Sequence, residues 1–282
     1  MSLGSIITNN SAMVALASLN ATQSDLAMTE KQISTGYRVA DAVDDGAAYA
    51  VAQRVRSDVG ALTSANQQLG NAQGLLTTTS SALNNISQTM ISARQVLVKL
   101  ADSTVQGDTR TQYQDQYRSM LTSLKGFIED AAYSGKTLIG DLTGSSGSYG
   151  GVAVIRNELG GTYGIATFSG SGFYNSIAFD ATTLTSTVAQ AYITATGTFI
   201  NQTSAIGSAM NTYGYATNYV QTQVSYNSDK IDAMNSGLGA LIDANLTQES
   251  AQLQALQVRQ QLGTQALSIA NQAPQSLLTL FR

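Results

Sequence analysis

From Ala48 to Leu97 an apolar or small side chain returns every seventh residue: Ala48, Val55, Leu62, Leu69, Leu76, Leu83, Met90 and Leu97. The positions three further on are Val51, Asp58, Ala65, Ala72, Thr79, Ile86, Ala93 and Leu100, mostly small or apolar as well. A seam sustained over more than six heptads is the signature of a coiled coil. At about 1.5 Å per residue one such helix is a rod of roughly 80 Å, too long for the inside of one compact domain. Gly60, Gly70 and Gly74 lie within it, each costing about 1 kcal/mol relative to Ala, so packing has to hold the helix where propensity does not.

A second seam of similar length runs through Tyr192, Phe199, Ile206, Tyr213, Val220, Asn227, Met234 and Leu241, accompanied by Thr203, Met210, Thr217, Val224, Ile231 and Leu238. Asn227 is its polar exception, and a lone Asn in an apolar seam fixes register at some cost in stability. Between the seams another helix is expected, with Asp108 as its N-cap. Its core face is Tyr113, Tyr117, Met120, Leu124, Phe127, Ile128 and Ala131, and it ends at Ser134-Gly135. From about 140 to 180, glycines punctuate short runs such as Val152–Ile155 and Tyr163–Ala166, which read as hairpins. The expected fold is mainly α: a long antiparallel coiled-coil or helical-bundle hairpin, a small β-hairpin subdomain at its tip, and paired terminal helices.

Charge is missing from particular places. Residues 1–24 carry none, and beyond Glu249 only Arg259 and Arg282 are charged. Both stretches keep an apolar stripe, Ala12, Leu16, Leu19, Leu26 and Ile33 in the first and Leu253, Leu256, Leu262, Ala266, Ile269, Ala273, Leu277 and Leu280 in the second. The first stripe stops at Ser34-Thr35-Gly36, and Pro274 is expected to bend or end the second. Neither is a membrane span, which needs about 20 mostly apolar residues. Asn, Thr and Ser interrupt the first and eight Gln residues from Gln252 to Gln275 the second. Nor does the start read as a secretory signal, lacking a basic region and a continuous apolar stretch. Two uncharged stripes with polar neutral backs are marginal as isolated helices in water; they are surfaces that stay dry only in company.

Composition closes off most chemistry. The chain of 282 residues has no Cys, His or Trp, so thiolate and imidazole catalysis and Cys/His zinc sites are excluded. Only 11% of residues are charged, against about 25% in an ordinary domain, while Asn, Gln, Ser and Thr number 103. A net charge of -4 without a basic block lacks the footprint of a nucleic-acid binder. No phosphate-loop or dinucleotide motif occupies the Gly-rich middle. Asp41, Asp44 and Asp45 form an acidic group that is read as helix capping rather than a metal site. No catalytic residue, cofactor or metal is expected.

Ser5-Ile6-Ile7-Thr8-Asn9-Asn10 through Leu19-Asn20-Ala21-Thr22, QISTGYRV from Gln32 to Val39 and DDGAAYAVAQRV from Asp44 to Val55 resemble the N-terminal segment of the bacterial flagellin family. Leu241 to Arg282, with its final leucine-rich run, resembles the C-terminal one. The likeness covers roughly 1–140 and 185–282 and matches no pattern in the middle, implying a short form without large outer domains. It implies a non-enzymatic filament subunit, exported unfolded through the flagellum's own channel without a cleaved signal peptide, polymerised outside the cell and used for motility. Residues 1–43 would be the inner-core helix and spoke, 44–140 and 185–240 the two halves of the rod, 141–184 a surface-exposed β region and 241–282 the C-terminal inner-core helix.

Self-assembly is then expected of Leu16, Leu19, Leu26, Ile33, Leu253, Leu256, Leu262, Ile269, Leu277, Leu280 and Phe281 in the terminal helices. The rod seam is Leu62, Leu69, Leu76, Leu83, Met90 and Leu97 with Ile206, Tyr213, Val220, Asn227 and Met234. Implied partners are further copies of the chain, other flagellins, hook-associated junction and cap proteins and an export chaperone, but neither nucleic acid nor an inserted membrane. The hook-filament junction protein of the same superfamily is the alternative. Flagellins that activate the Toll-like receptor commonly carry Arg-x-Arg-Glu-Leu; the aligned residues are Ser92, Ala93, Arg94, Gln95 and Val96. Ser92 and Gln95 remove two charges, which implies weak receptor activation. Ser169, Ser171, Thr182 and Thr183 are expected on the filament exterior.

Overall fold

The computed structural model describes residues 9–280, with side chains described to residue 272 except at Ala181. Helices dominate: α1 (Asn10–Thr35), α2 (Gly46–Ala101), α3 (Gly107–Glu129), α4 (Gly170–Ile177), α5 (Ser186–Ile193), α6 (Thr198–Ile242) and α7 (Leu246–Leu280). Five short strands lie between α3 and α4: β1 (Ala132–Tyr133), β2 (Lys136–Thr137), β3 (Ser148–Tyr149), β4 (Val152–Ile155) and β5 (Thr162–Ile165). β2 pairs antiparallel with β1 and parallel with β3, and β4 pairs antiparallel with β5 from Val152 opposite Ile165 to Ile155 opposite Thr162. The chain forms two compact units, one from the residues up to Ser57 with those from Ala233 on, the other Asp58–Asp232.

In the second unit the heptad seam of α2 is buried almost without interruption. Leu62, Leu69, Leu76, Leu83, Met90 and Leu97 are fully covered, with Ala65, Ala72, Ile86, Ala93 and Leu100 beside them. Thr79 occupies a companion position with no exposure, and its hydroxyl donates to the Leu75 carbonyl at 2.8 Å. That bond within its own helix removes the penalty of burying an unpaired hydroxyl. The opposing face is Phe199, Ile206, Ala209, Tyr213, Ala216 and Val220 of α6, and α3 adds Tyr117, Leu121, Leu124 and Ile128 to the same core. Three long helices thus form the bundle, the two that carry the seams and the core-facing helix expected between them.

Four boundaries differ from the sequence reading, one being that α3 stops at Glu129, ahead of Ala131 and Ser134-Gly135. Asp108 is not the cap of α3 but lies in its first turn, after Gln106, where its charge complements the helix dipole. Tyr192 belongs to α5, because the backbone turns between Thr194 and Gly197 before α6 begins. α7 continues past Pro274 to Leu280. A proline removes one donor and crowds one carbonyl, which weakens a helix without obliging it to stop.

The middle segment is less superficial than its glycine content suggested. Strands occupy only part of residues 132–165, and 170–177 and 186–193 are helical. Val154, Ile165, Phe173, Ile177 and Leu184 close over the bundle as part of its core. Ser169 caps α4 by accepting from Gly172 N at 3.0 Å, and both Ser169 and Ser171 donate to Asp141 at 2.8 Å. Thr182 and Thr183 are exposed and Ser171 is half-buried.

Asn227 is fully buried. Its amide donates to Asn66 Oδ1 at 2.9 Å and to the Arg156 carbonyl at 3.0 Å, and its oxygen accepts from Gln223 Nε2 at 2.9 Å. One side chain therefore joins α2, α6 and the loop after β4, and those partners exist only in one register. Truncation to Ala strands polar groups in a covered site, so Asn227→Ala is expected to cost about 1–3 kcal/mol. Chemical denaturation checks this, and a change below experimental error would deny Asn227 the pinning role.

Candidate self-assembly surface

α1 and α7 pair antiparallel in the first unit. Asn9 caps α1 through Oδ1, which accepts from Ala12 N at 3.1 Å, and its amide crosses to the Ala270 carbonyl at 2.7 Å. Leu19 packs on Gly263, where an added Cβ would stand 3.2 Å from Leu19 Cδ1. Leu19 and Leu256 are buried, while Leu26, Ile33 and Leu253 are half-buried. The contact is poor in charge: of the α1 and α7 charges, only Arg259 lines the cleft beside Leu19.

A single helix pair buries one stripe of each partner and leaves the rest of its apolar surface wet. Leu262 is 63% and Ile269 65% exposed, and Met13, Val14, Leu16, Met28 and Val258 also face outward. Large exposed apolar side chains thus stand on both helices of the pair. The expected residues therefore divide by exposure: Leu19 and Leu256 are buried, whereas Leu16, Leu262 and Ile269 face outward. Leu277 and Leu280 lie beyond the described side chains, and Phe281 lies outside the described residues. Val14 and Met28 were passed over in the sequence reading, although Val14, Ala21 and Met28 make their own seven-residue line beside the first.

Between α1 and α2 the chain is tied down by capping chemistry. Gly36 takes φ 74° to end α1, a conformation that Gly adopts without strain. Arg38 N and Val39 N then donate to the Ile242 carbonyl at 2.7 and 3.2 Å, and Ala244 N donates to Gly36 O at 2.9 Å. Val39 packs there with Ala48, Ala52 and Ile242. Asp45 Oδ1 accepts from Ala47 N and Ala48 N at 3.0 Å, so it caps α2. Lys31 Nζ bridges Asp41 at 2.7 Å and Asp44 at 2.8 Å. The acidic group is thus accounted for by caps and one ammonium, and among the described residues no cluster suited to a metal occurs.

The Lys31 hydrogen bond is the main reason that Asp41 and Asp44 are held below the usual carboxylate range, and Asp41 raises Lys31 in turn. A depressed carboxylate stabilises above its ordinary value and loses that contribution as pH falls through the lowered one; a raised ammonium loses its contribution only on the alkaline side. The turn is expected to loosen below about pH 4 and stay closed at neutral pH. Amide exchange at Ala40 and Val43 should accelerate on acidification beyond the intrinsic trend, and equal protection at pH 3 and 7 would contradict the latch.

The rod seam plays a different part. Its residues in the second unit are intramolecular core, while Met234, in the first unit, is half-buried. Val51, a companion position, is exposed rather than packed. Ser92, Arg94 and Gln95 lie on the outer face of α2, between exposed Ile91 and Val98. Among the described residues no helix is long and apolar enough to cross a membrane.

Residues 6–143 match the bacterial flagellin N-terminal helical region and residues 193–281 the bacterial flagellin C-terminal helical region. A flagellin of Brucella melitensis is 31% identical over 99% of this chain and all of its own length. Flagellin FljK of Caulobacter vibrioides is 31% identical over the whole of both chains. The fold is similar to Bacillus cereus flagellin, with TM-score 0.50 at 15% identity over 57% of this chain and 88% of that one. It is also similar to a Vibrio parahaemolyticus protein of the flagellar hook-associated type, with TM-score 0.59 at 14% identity over 71% of this chain and all of the other.

Proposed function

Since this chain belongs to the bacterial flagellin family, we propose that its outward apolar terminal-helix surface is what drives polymerisation into the flagellar filament. The observation that carries the reading is the exposure of Leu16, Leu262 and Ile269 on a helix pair whose own contact is already made by Leu19 and Leu256. Burial of these side chains between copies stabilises by about 25 cal/mol per Å² of apolar surface removed from water. Neutral contacts also tolerate salt, since screening acts on charges. The subunit is a structural component of an extracellular flagellum, and its assembly needs no cofactor or catalysis.

The finer parts of the reading belong to the same proposal. The chain leaves the cell unfolded through the flagellar export channel, escorted by a chaperone, and folds its terminal helices as it joins the growing end. Other flagellins and the hook-associated junction and cap proteins meet the same terminal surface. Likeness to the hook-associated fold rests on backbone shape at 14% identity, whereas flagellins match across the full sequence; the filament subunit is therefore favoured over a junction protein.

Seeded elongation tests the proposal. Purified monomer added to sheared filament fragments should extend them into long pelletable filaments, and the termini should be cleaved by protease in the monomer but protected in the polymer. A monomer that never elongates seeds, or termini equally resistant in both states, would sink it.

A further inference from the structure

Val43 is the most exposed large apolar side chain of the described residues, 93% accessible at the tip of the turn between α1 and α2. That turn is closed from both sides. Val43 N and Asp44 N donate to Asp41 Oδ1 at 2.8 and 3.3 Å, while Ala40 N and Asp41 N donate to Asp44 Oδ2 at 3.0 and 3.2 Å. The isopropyl group is thus presented by a pre-organised loop, which loses little entropy on docking. Asp41, Asp44 and Asp45 surround it, and Lys31 bridges only two of them, so the knob is apolar at its tip and acidic at its base.

The second unit carries a hole of complementary character. Residue 74 is glycine, and an added Cβ there would lie 2.5 Å from Tyr133 Cζ, so the Tyr133 ring comes down directly on α2. Beside that ring Asn71, Leu75, Val152 and Val154 wall a cleft of about 360 Å³, with Lys136 at its edge. None of the lining residues is acidic, and Lys136 is exposed with no ion-pair partner among the described residues. Leu159, also highly exposed, fits less well. Its neighbour Glu158 is already paired with Lys230 at 2.5 Å, and nearby Arg156 would bring like charge to Lys136.

We propose that the Val43 turn of one copy docks into the Tyr133–Val154 cleft of a second copy. The contact joins different patches on the two subunits, the head-to-tail kind of contact from which open helical series are built. It rests on the filament reading above and adds a specific contact outside the terminal helices. Apolar filling of the cleft supplies attraction, and the acidic base of the turn against Lys136 supplies orientation.

Because the chain contains no cysteine, a disulfide is a clean reporter. Full-length Val43→Cys and Asn71→Cys chains, distinguishable by mass and each diluted in wild-type protein, are co-assembled on seeds and oxidised. A crosslink between the two variants in filaments, and none in monomer, is expected, since a disulfide needs Cα atoms within about 7 Å. Filaments without that crosslink, and without one when Gln68→Cys or Ala153→Cys replaces Asn71→Cys, would overturn the docking. So would equal crosslinking in monomer, or capture of Leu159→Cys in place of Val43→Cys. As a second measure, Lys136→Glu should slow seeded elongation about fivefold at low salt and recover by ~0.5 M salt; unchanged elongation at low salt would refute the charge pairing. Failure of wild-type protein to elongate would reject the filament reading itself, whereas failure of these variants' signatures in growing filaments rejects only the docking.

Discussion

Leu262→Glu is expected to leave a folded monomer that does not polymerise. The side chain is 63% exposed in the isolated chain, and substitutions at such positions change stability by only about 0.5 kcal/mol or less. In the filament the same position would have to bury a carboxylate, and even with Arg259 in the same cleft taking the charges out of water costs several kcal/mol per ion. With about 1.4 kcal/mol for each tenfold change, the critical concentration should rise by roughly two orders of magnitude or more. Sedimentation of seeded reactions reads the loss, and circular dichroism on the same sample checks that the helices remain. Filaments at wild-type concentration would show that this face is not an assembly surface. Ile269→Glu should behave alike, because it is similarly exposed, whereas Leu19→Asp should disrupt the α1–α7 contact itself, since Leu19 is buried in it.

Leu83→Ala should do the reverse, destabilising the second unit while leaving the outward terminal surface unchanged. Leu83 is fully covered in a core shared by α2, α3 and α6. Removing a buried leucine to alanine costs about 2–5 kcal/mol, transfer and cavity together. Against a typical total of about 5–15 kcal/mol that is a large share, and a melting temperature lowered by roughly 5–15 °C is expected for a unit of this size. Ile91→Ala on the exposed side of the same helix is the control. Equal melting shifts for the two variants would mean that the seam is not the core.

The contrast explains what periodicity could and could not reveal. Leu69, Leu76, Leu83 and Leu97 were recognisable because a helix repeats its faces nearly every seven residues, and a long apolar line has to be covered by something. Periodicity cannot name the cover. Leu262 and Leu256 share one stripe in sequence, yet Leu256 is 4% exposed and Leu262 63%, since which of them meets α1 depends on how two helices approach. The small glycine at 263 lets Leu19 come close, and that approach fixes which residues face out. In the middle segment, glycine density pointed to surface hairpins. Phe173, Ile177 and Leu184 nevertheless close the bundle, because a bundle end needs a lid and no local pattern announces one.

Asp41, Asp44 and Asp45 illustrate the same boundary at the level of side chains. Three acids before a helix suggest capping, and Asp45 does cap α2. That Lys31, ten residues before Asp41, would reach back to bridge the other two depends on where α1 ends, which Gly36 decides by its left-handed backbone. Asn227 was marked as a polar break in an apolar seam; that its partners would be Asn66 and the Arg156 carbonyl was beyond reach, because both lie far away in the chain.

By itself, the sequence determined that long helices would dominate, that their seams would be apolar and that no thiol or imidazole chemistry was open to the chain. Those properties are local, set by side-chain type and by a spacing that repeats within one helix. Only the tertiary structure decided which stripe residues are spent inside the subunit and which remain for a neighbour, that a third helix completes the bundle, and where the Val43 turn and the Tyr133 cleft stand. Helix approach, glycine clearance and long-range hydrogen bonds set those features, and each depends on residues distant in the chain.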